Sequence, residues 1–154
     1  MKKILLLTFL LIYILGMSGC GRQNTEEILT FQKELNSTLL DIENIHTKIN
    51  SVDTTSLTAS EDILAYLSEL NTAFHDLSQI KVSDENYSYI TDLAIEGSDY
   101  MEQAYDLFEK AYGGENFDEN NADLAYKYLE RATKRIRVIV TMLHGEIPDD
   151  VIVH

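Results

Sequence analysis

The sequence predicts an all-α fold, an antiparallel four-helix bundle preceded by a cleaved N-terminal signal peptide. The chain has one proline and seven glycines in 154 residues, which leaves long stretches without a helix breaker. Apolar residues recur at spacings of three and four, the period of one face of an amphipathic helix. Strong strand-like alternation of apolar and polar residues is absent. Four such segments joined by short loops favour helices that run antiparallel to their neighbours.

Residues 1–19 have the layout of a secretory signal. Lys2 and Lys3 form a short positive start, and an apolar run from Ile4 to Gly16 follows. This run is shorter than the roughly 20 residues that a membrane-spanning helix needs. We therefore expect residues 1–19 to direct export and then to be removed. The alternatives are an ordinary signal peptide, with a cysteine after it by chance, and an uncleaved anchor.

The segment Met17-Ser18-Gly19-Cys20 resembles the lipobox of bacterial lipoproteins. In that family the cysteine sulfur receives a diacylglycerol, and the chain is cut before the cysteine. The resemblance implies lipidation of Cys20, a short tether over residues 20–24, and anchoring at the outer face of the cytoplasmic membrane. Met17 departs from the family's usual leucine. Apart from the lipobox, the layout is similar to that of small uncharacterised helical lipoproteins of Gram-positive bacteria, which carries no site residues across.

The charge of the chain excludes several classes of partner. The whole chain has a net charge of −14, and removal of residues 1–19 takes away two lysines and no acid, which leaves 10 basic and 26 acidic residues and a net charge of −16. Nucleic-acid binding depends on basic contacts to phosphate, so we expect none. The same charge disfavours lying flat on an anionic membrane. Cys20 is the only cysteine, so no intrachain disulfide can form.

The first two predicted helices span about residues 25–51 and 59–80. Each begins with a capping-box pattern, with Asn24 as the cap of the first and Thr58 as the cap of the second. Each carries one apolar stripe at helical spacing. The stripes comprise Ile28, Phe31, Leu35, Ile42, Ile45, Ile49 and Val52 in the first helix, and Ile63, Leu67, Leu70, Phe74 and Leu77 in the second.

The third predicted helix spans about residues 84–112, with Ser83 as its cap. Small residues on its inner face would let a neighbouring helix approach closely. We expect Gly113-Gly114 to end the helix, because glycine adopts the left-handed conformation without a Cβ clash. The predicted inner face comprises Ile90, Leu93, Gly97, Tyr100, Ala104, Leu107 and Ala111.

The fourth predicted helix spans about residues 119–144 and follows an acidic loop. Asp118 and Asn120 are its candidate caps. A tail at residues 146–154 follows the bundle, which covers residues 25–145. We expect its apolar residues to fold back onto the bundle, with contact to a partner as the alternative. The predicted inner face of the helix comprises Ala122, Ala125, Leu129, Ala132, Ile136, Ile139 and Leu143.

Two groups of side chains make the last two helices the candidate surface for a partner or an anion. Half of the mature chain's basic residues lie on the fourth helix, and tyrosine, which is enriched at interfaces, lies mainly on the last three. The simplest interpretation is a set of solvated faces and bundle edges. The functional interpretation is a binding surface. Its candidate residues are Lys127, Arg131, Lys134, Arg135, Tyr105, Tyr112, Tyr126 and Tyr128.

Patterns for catalysis, metals and cofactors are incomplete, so we expect none of these. Glu43 and His46 match one half of a di-metal helix motif, and no second half exists. Asp118, Asn120 and Asp123 reproduce calcium-loop spacing in part and lack its turn glycine. No haem motif is present, and none of the four histidines lies in a nucleophile motif. Glycine-rich phosphate loops are also absent from the sequence.

The sequence therefore predicts an extracytoplasmic lipoprotein that acts as a non-catalytic protein-binding or interaction module. Its expected partners are the membrane, through lipid on Cys20, and another extracytoplasmic protein or a cell-wall component. The alternative is a ligand- or ion-binding sensor that uses the basic residues of the fourth helix or the acidic loop before it. A purely structural envelope protein is a third interpretation that the sequence leaves open.

Overall fold

The computed structural model describes residues 26–80, 85–114 and 116–143, and within these ranges it contains helices and no strand. The helices are α1 (Glu26–Ser51), α2 (Ala59–Ser78), α3 (Ser88–Tyr112) and α4 (Glu119–Leu143), with a 3-10 turn at Glu85–Tyr87 before α3. The predicted all-helical fold of four packed helices is confirmed. The predicted signal peptide, tether and C-terminal tail, and the predicted caps Asn24 and Ser83, lie outside the described residues.

Each helix packs against its neighbours in the chain, α1 on α2, α2 on α3 and α3 on α4. The contact between α3 and α4 is the most extensive of the three. Gly97 lies beside Arg135, whereas Phe108, further along α3, lies against Tyr126, nearer the start of α4. The contacting residues follow opposite orders in the two helices, so α3 and α4 form a helical hairpin.

Large apolar side chains fill the core on the side of α1 and α2. Most of the predicted stripe residues of these helices are buried, and full burial of each large side chain contributes about 1.5–3 kcal/mol. Thr38 interrupts the stripe of α1 and is also buried, with its hydroxyl satisfied by donation to the Glu34 carbonyl at 3.0 Å. The buried apolar residues are Ile28, Phe31, Leu35, Leu39, Ile42 and Ile45 in α1, and Leu67, Leu70, Phe74 and Leu77 in α2.

Small residues line the interface between α3 and α4. An alanine or glycine facing another helix lets the two backbones come close, because no long side chain separates them. Larger buried side chains, such as Phe108 and Ile136, fill the remaining space. The buried small residues are Ala94, Gly97, Ala104 and Ala111 in α3, and Ala122, Ala125 and Ala132 in α4.

The buried face of α3 is rotated relative to the predicted one. Burial follows the order Ile90, Ala94, Gly97, Met101, Ala104, Phe108, Ala111. The predicted Leu93, Tyr100 and Leu107 are only partly buried and pack at the edge of the core. The prediction was wrong at these three positions because α3 packs against both α2 and α4. A helix with two neighbours buries a wider face than one apolar stripe defines.

The predicted capping box at the start of α2 is absent. The backbone of Thr58 (φ −98°, ψ 1°) is not extended as in a typical N-cap, and its side chain caps no backbone N–H. Its hydroxyl instead donates to the Asp62 carboxylate at 3.1 Å. The predicted cap at Asp118 is confirmed, because its Oδ1 accepts the backbone N–H of Asn121 at 3.1 Å. Asn120 lies within α4 and is not the cap.

Glycine ends α3, but for a different reason from the one predicted. Gly113 keeps right-handed helical angles (φ −82°, ψ −7°), and its N–H donates to the Glu109 carbonyl at 2.8 Å. A Cβ at Gly113 would lie 2.6 Å from that carbonyl oxygen, closer than side chains tolerate. The position therefore needs the small size of glycine and does not use its left-handed conformation.

Candidate functional site

The candidate tyrosines fall into two groups on the α3–α4 hairpin. Tyr126 and Tyr128 are two positions apart, so their side chains leave α4 roughly 200° apart. Tyr126 packs on Phe108 near the loop, with a ring-centroid distance of 5.1 Å. Tyr128 instead faces Tyr100, with a ring-centroid distance of 6.2 Å. The eight predicted residues therefore form no single surface.

The first group, which we call the aromatic end, consists of Phe108, Tyr112, Phe117 and Tyr126. Phe108 is buried and anchors the group, with Tyr126 packed edge-on against it and Tyr112 at a centroid distance of 6.3 Å. Tyr112 in turn contacts Phe117 at 5.1 Å. Phe117 is 57% exposed and Tyr126 is 55% exposed. The fold thus holds two large aromatic rings partly in water.

The loop between α3 and α4 sets the position of Phe117. The backbone N–H of Asp118 donates to the Ala111 carbonyl at 3.0 Å, which ties the loop back onto the end of α3. The side chain of Asp118 caps α4 through Asn121. Phe117 therefore directly precedes Asp118, a residue that is hydrogen-bonded to both helices.

Tyr112 is the aromatic side chain whose titration the fold changes most clearly. Burial raises the pKa of Tyr112 to about 12, and the neighbouring phenol of Tyr126 adds to the effect. Its ordinary value is 10. A buried phenol is harder to ionise because the phenolate would lose its hydration. The Tyr112 phenol therefore stays protonated at pH values at which an ordinary tyrosine already ionises, and it serves as a packing group.

Acidic residues are frequent in the sequence that contains the aromatic end. Residues 105–126 contain six acids and one base, Lys110. Glu109, Glu119 and Asp123 are exposed. The Glu109 carboxylate also accepts a hydrogen bond from the hydroxyl of Tyr105, one of the predicted surface residues, at 3.1 Å. The surface that presents Phe117 and Tyr126 is therefore negatively charged.

The second group, which we call the arginine–tyrosine cluster, consists of Tyr100, Tyr128, Arg131 and Arg135. The guanidinium of Arg131 lies 5.4 Å from the Tyr128 ring centroid and 5.8 Å from that of Tyr100. Arg135 lies 5.6 Å from the Tyr100 ring and pairs with Glu96. The predicted Tyr128, Arg131 and Arg135 are thus brought together around Tyr100.

Arg131 and Arg135 differ in their ion pairs. Within the described ranges no acidic group lies at ion-pair distance from Arg131, and its guanidinium lies over two tyrosine rings. Lys127 and Lys134, at spacings of four and three from Arg131, share its side of α4, and all three are exposed. An exposed guanidinium stacked on aromatic rings is oriented to accept an anion from outside the chain.

Sequence reasoning missed Tyr100, Phe108, Phe117 and Glu96 as members of these groups. Tyr100 fits the apolar spacing and was assigned to the core, and Phe108 lies beside that predicted stripe. Phe117 lies in a loop whose other residues are acidic, polar or glycine, and the loop was therefore not expected to contribute an aromatic group. The signal for Phe117 was available, because a large aromatic side chain in a short polar loop is not explained by the core.

A shallow groove of about 690 Å³ lies between α1 and α2, away from both groups. Lys48 crosses it and pairs with Glu69 while lying 5.3 Å from the Tyr66 ring. The hydrogen bond to Glu69 raises the pKa of Lys48. The other groove residues include Asp41 and Asp76. An open surface with its central cation already paired offers little to a ligand.

The remaining observations concern metals, membranes and relatives. Among the described residues, no group of three or more His, Cys, Asp and Glu side chains is arranged to hold a metal ion. None of the helices in those ranges has the length and apolar character needed to cross a bilayer. No family model matches the chain, and no match to it was found among curated proteins or solved structures.

Proposed function

We propose that the chain is a membrane-tethered extracytoplasmic lipoprotein whose helical domain is a non-catalytic interaction module. The lipobox-like segment ending at Cys20 supports the tether, and the signal-like layout of residues 1–19 supports export. We further propose that the four helices form an antiparallel bundle throughout, as the α3–α4 hairpin does. The proposed location is the outer face of the cytoplasmic membrane.

The observation that carries the interaction proposal is the aromatic end. Phe117 and Tyr126 expose more than half of their surface, although Tyr126 packs on the buried Phe108 and Phe117 packs on the partly buried Tyr112. Aromatic side chains bury large areas at interfaces, and tyrosine and phenylalanine are enriched there. Rings that the fold fixes in place lose little side-chain freedom when a partner covers them. This arrangement favours recognition of another protein over catalysis.

The tether is tested by metabolic labelling with a radioactive fatty acid. Cells that express the chain should incorporate label into it and retain it in the membrane fraction. The Cys20→Ala variant should lose the label and leave the membrane fraction, and Ser18→Ala serves as a control that keeps the cysteine. Label on the Cys20→Ala variant would overturn the lipoprotein proposal.

The interaction is tested by cross-linking the full chain in intact membranes and identifying its neighbours by mass spectrometry. The Phe117→Ala, Tyr126→Ala double variant should lose the dominant cross-link. The control is Leu40→Ala, because Leu40 is a similarly exposed apolar residue on α1, at 54%. Equal cross-linking of the double variant and the unchanged chain would remove the aromatic end from the proposal.

The second candidate function is an anion sensor. The observation that favours it is the stack of Arg131 on Tyr100 and Tyr128, where the described residues supply no carboxylate partner. An anion that binds the folded chain raises its melting temperature by mass action. Sulfate, phosphate and citrate are suitable probes at constant ionic strength. Any increase should disappear in Arg131→Ala and persist in Arg137→Ala, because Arg137 is exposed and contacts neither ring. An identical response of both variants would argue against the sensor.

A further inference from the structure

We infer that the aromatic end docks a lysine- or arginine-bearing segment of a partner protein. The inference rests on the proposed function and adds the chemistry of the partner. Its basis is the combination of exposed rings, Phe117 and Tyr126, with the acidic surface around them.

The aromatic rings elsewhere in the fold show how this chain uses such surfaces. Lys48 lies over Tyr66, and arginines of α4 lie over Tyr100 and Tyr128. These three rings therefore have cations from the chain itself. Among the described residues, no cation covers the rings of the aromatic end. A cation supplied by a partner would complete the same contact there, since aromatic faces attract positive charge.

The charges around the rings favour a partner segment with a positive charge. Six of the residues from 105 to 126 are acidic and one is basic, and Glu109, Glu119 and Asp123 are exposed. A basic segment gains attraction to these carboxylates in addition to contact with the rings. An acidic segment is repelled by the same carboxylates. The net charge of the whole chain, −14, adds to this selection at longer range.

The same charges argue against insertion of Phe117 and Tyr126 into a membrane. Exposed aromatic rings can anchor a protein at a bilayer interface, where they usually accompany basic residues. Here carboxylates accompany them, and they would be brought against anionic headgroups. A protein segment with basic and apolar side chains satisfies both parts of this surface, whereas an anionic bilayer satisfies only the rings.

The inference is tested with short synthetic peptides of alternating leucine and lysine, and matched peptides in which glutamate replaces lysine. Binding to the full chain in a neutral detergent is followed by fluorescence anisotropy of a dye on the peptide. We expect the lysine peptide to bind and the glutamate peptide not to bind. Raising the salt concentration from about 50 mM to about 300 mM should weaken binding, because the carboxylates are exposed.

Variants locate the binding on the chain. The Phe117→Ala, Tyr126→Ala double variant should bind the lysine peptide about tenfold more weakly, as expected for loss of central aromatic contacts. Tyr126→Phe retains the ring and should bind as the unchanged chain does. Leu40→Ala should also leave binding unchanged. Circular dichroism melting curves confirm that each variant folds, which is expected because both substituted rings lie largely outside the core.

Four outcomes would overturn the inference. Equal binding of the lysine peptide to the double variant would show attraction to net charge alone. Binding of the glutamate peptide as tight as that of the lysine peptide would show that the surface does not distinguish the charge of its partner. Binding to phosphatidylglycerol vesicles that depends on Phe117 would make the surface a membrane contact. If the membrane cross-link depends on Phe117 while the lysine peptide does not bind, the interaction proposal stands and the basic partner is rejected.

Discussion

The two halves of the bundle fill their shared core with side chains of different size. On the side of α1 and α2 the buried apolar residues are leucine, isoleucine and phenylalanine, whereas the buried faces of α3 and α4 include six alanines and one glycine. Large side chains keep helices apart and occupy the space between them. Small ones let the backbones approach, and the aromatic side chains of the same helices then occupy the edges.

This difference explains where the candidate surfaces lie. Tyr100 and Tyr128 lie at an edge of the α3–α4 hairpin, and Phe117 and Tyr126 lie near its loop. The α1–α2 half has Phe31 and Phe74 in the core, and its Tyr66 is partly buried at the edge of the core. The α3–α4 half therefore has more aromatic side chains outside the core than the α1–α2 half.

The largest expected effect comes from removing a large side chain from the core. Phe74 is 2% exposed, so Phe74→Ala should lower the free energy of unfolding by about 3–5 kcal/mol through lost burial and a cavity. Urea denaturation followed by circular dichroism measures this. The control is Leu57→Ala, because Leu57 is fully exposed and its loss should change stability by less than about 0.5 kcal/mol. A cost below about 1 kcal/mol for Phe74→Ala would contradict the proposed role of large side chains.

The α3–α4 interface should instead be sensitive to added volume. Ala104 is fully buried, and Ala104→Leu should lower the free energy of unfolding by about 1–3 kcal/mol, because the two helices would have to separate. Gln103→Leu adds an apolar side chain one position earlier, at an exposed site, and should be nearly neutral. If Ala104→Leu proved as well tolerated as Gln103→Leu, the close approach of α3 and α4 would be refuted.

Substitution by alanine should have opposite effects at Gly97, within α3, and at Gly113, which follows the last residue of α3. A Cβ at Gly113 meets the Glu109 carbonyl oxygen at 2.6 Å, so Gly113→Ala should destabilise the fold by about 1–2 kcal/mol. A Cβ at Gly97 meets its nearest atom, the Cβ of Arg135, at 3.4 Å, which is ordinary contact. Gly97→Ala should therefore stabilise α3 by about 0.5–1 kcal/mol through helix propensity.

Thermal melting of the two alanine variants and the unchanged chain measures both expected changes in stability. A lower melting temperature for Gly97→Ala would mean that α3 and α4 approach more closely at that point than the 3.4 Å contact indicates. A higher one for Gly113→Ala would mean that the end of α3 can relax away from the Glu109 carbonyl.

The smallest effect is a dependence of stability on alkaline pH. Since the pKa of Tyr112 is raised from 10 to about 12 in the folded chain, its stabilisation is complete below about pH 10 and is lost as pH rises towards 12. The shift corresponds to nearly 3 kcal/mol at most, and solvent screening of a half-buried group reduces this to about 1 kcal/mol. Tyr112→Phe should lose correspondingly less stability between pH 9 and pH 12, as measured by urea midpoints. Parallel pH curves for both chains would contradict the assignment.

The periodicity of apolar residues was sufficient to predict the helices and most of the core, because a helix that buries one face must repeat its pattern. It was insufficient for α3, where burial on two sides moved Tyr100 to an edge and Phe108 into the core. The candidate surface was predicted only in part. Sequence spacing places Tyr126 and Tyr128 near each other along the chain, but the 100° step of the helix sends them to different groups.

If Cys20 carries lipid as proposed above, the position of the aromatic end along the bundle sets how far from the membrane this surface lies. In the antiparallel arrangement proposed above, the start of α1 and the loop between α3 and α4 lie at opposite ends. The 25 residues of α3 span about 37 Å, more than the thickness of the hydrocarbon layer. A tether of a few residues before Glu26 would then present Phe117 outward, clear of the headgroups. The aromatic end would then contact the partner's basic segment in the aqueous space beyond the membrane surface.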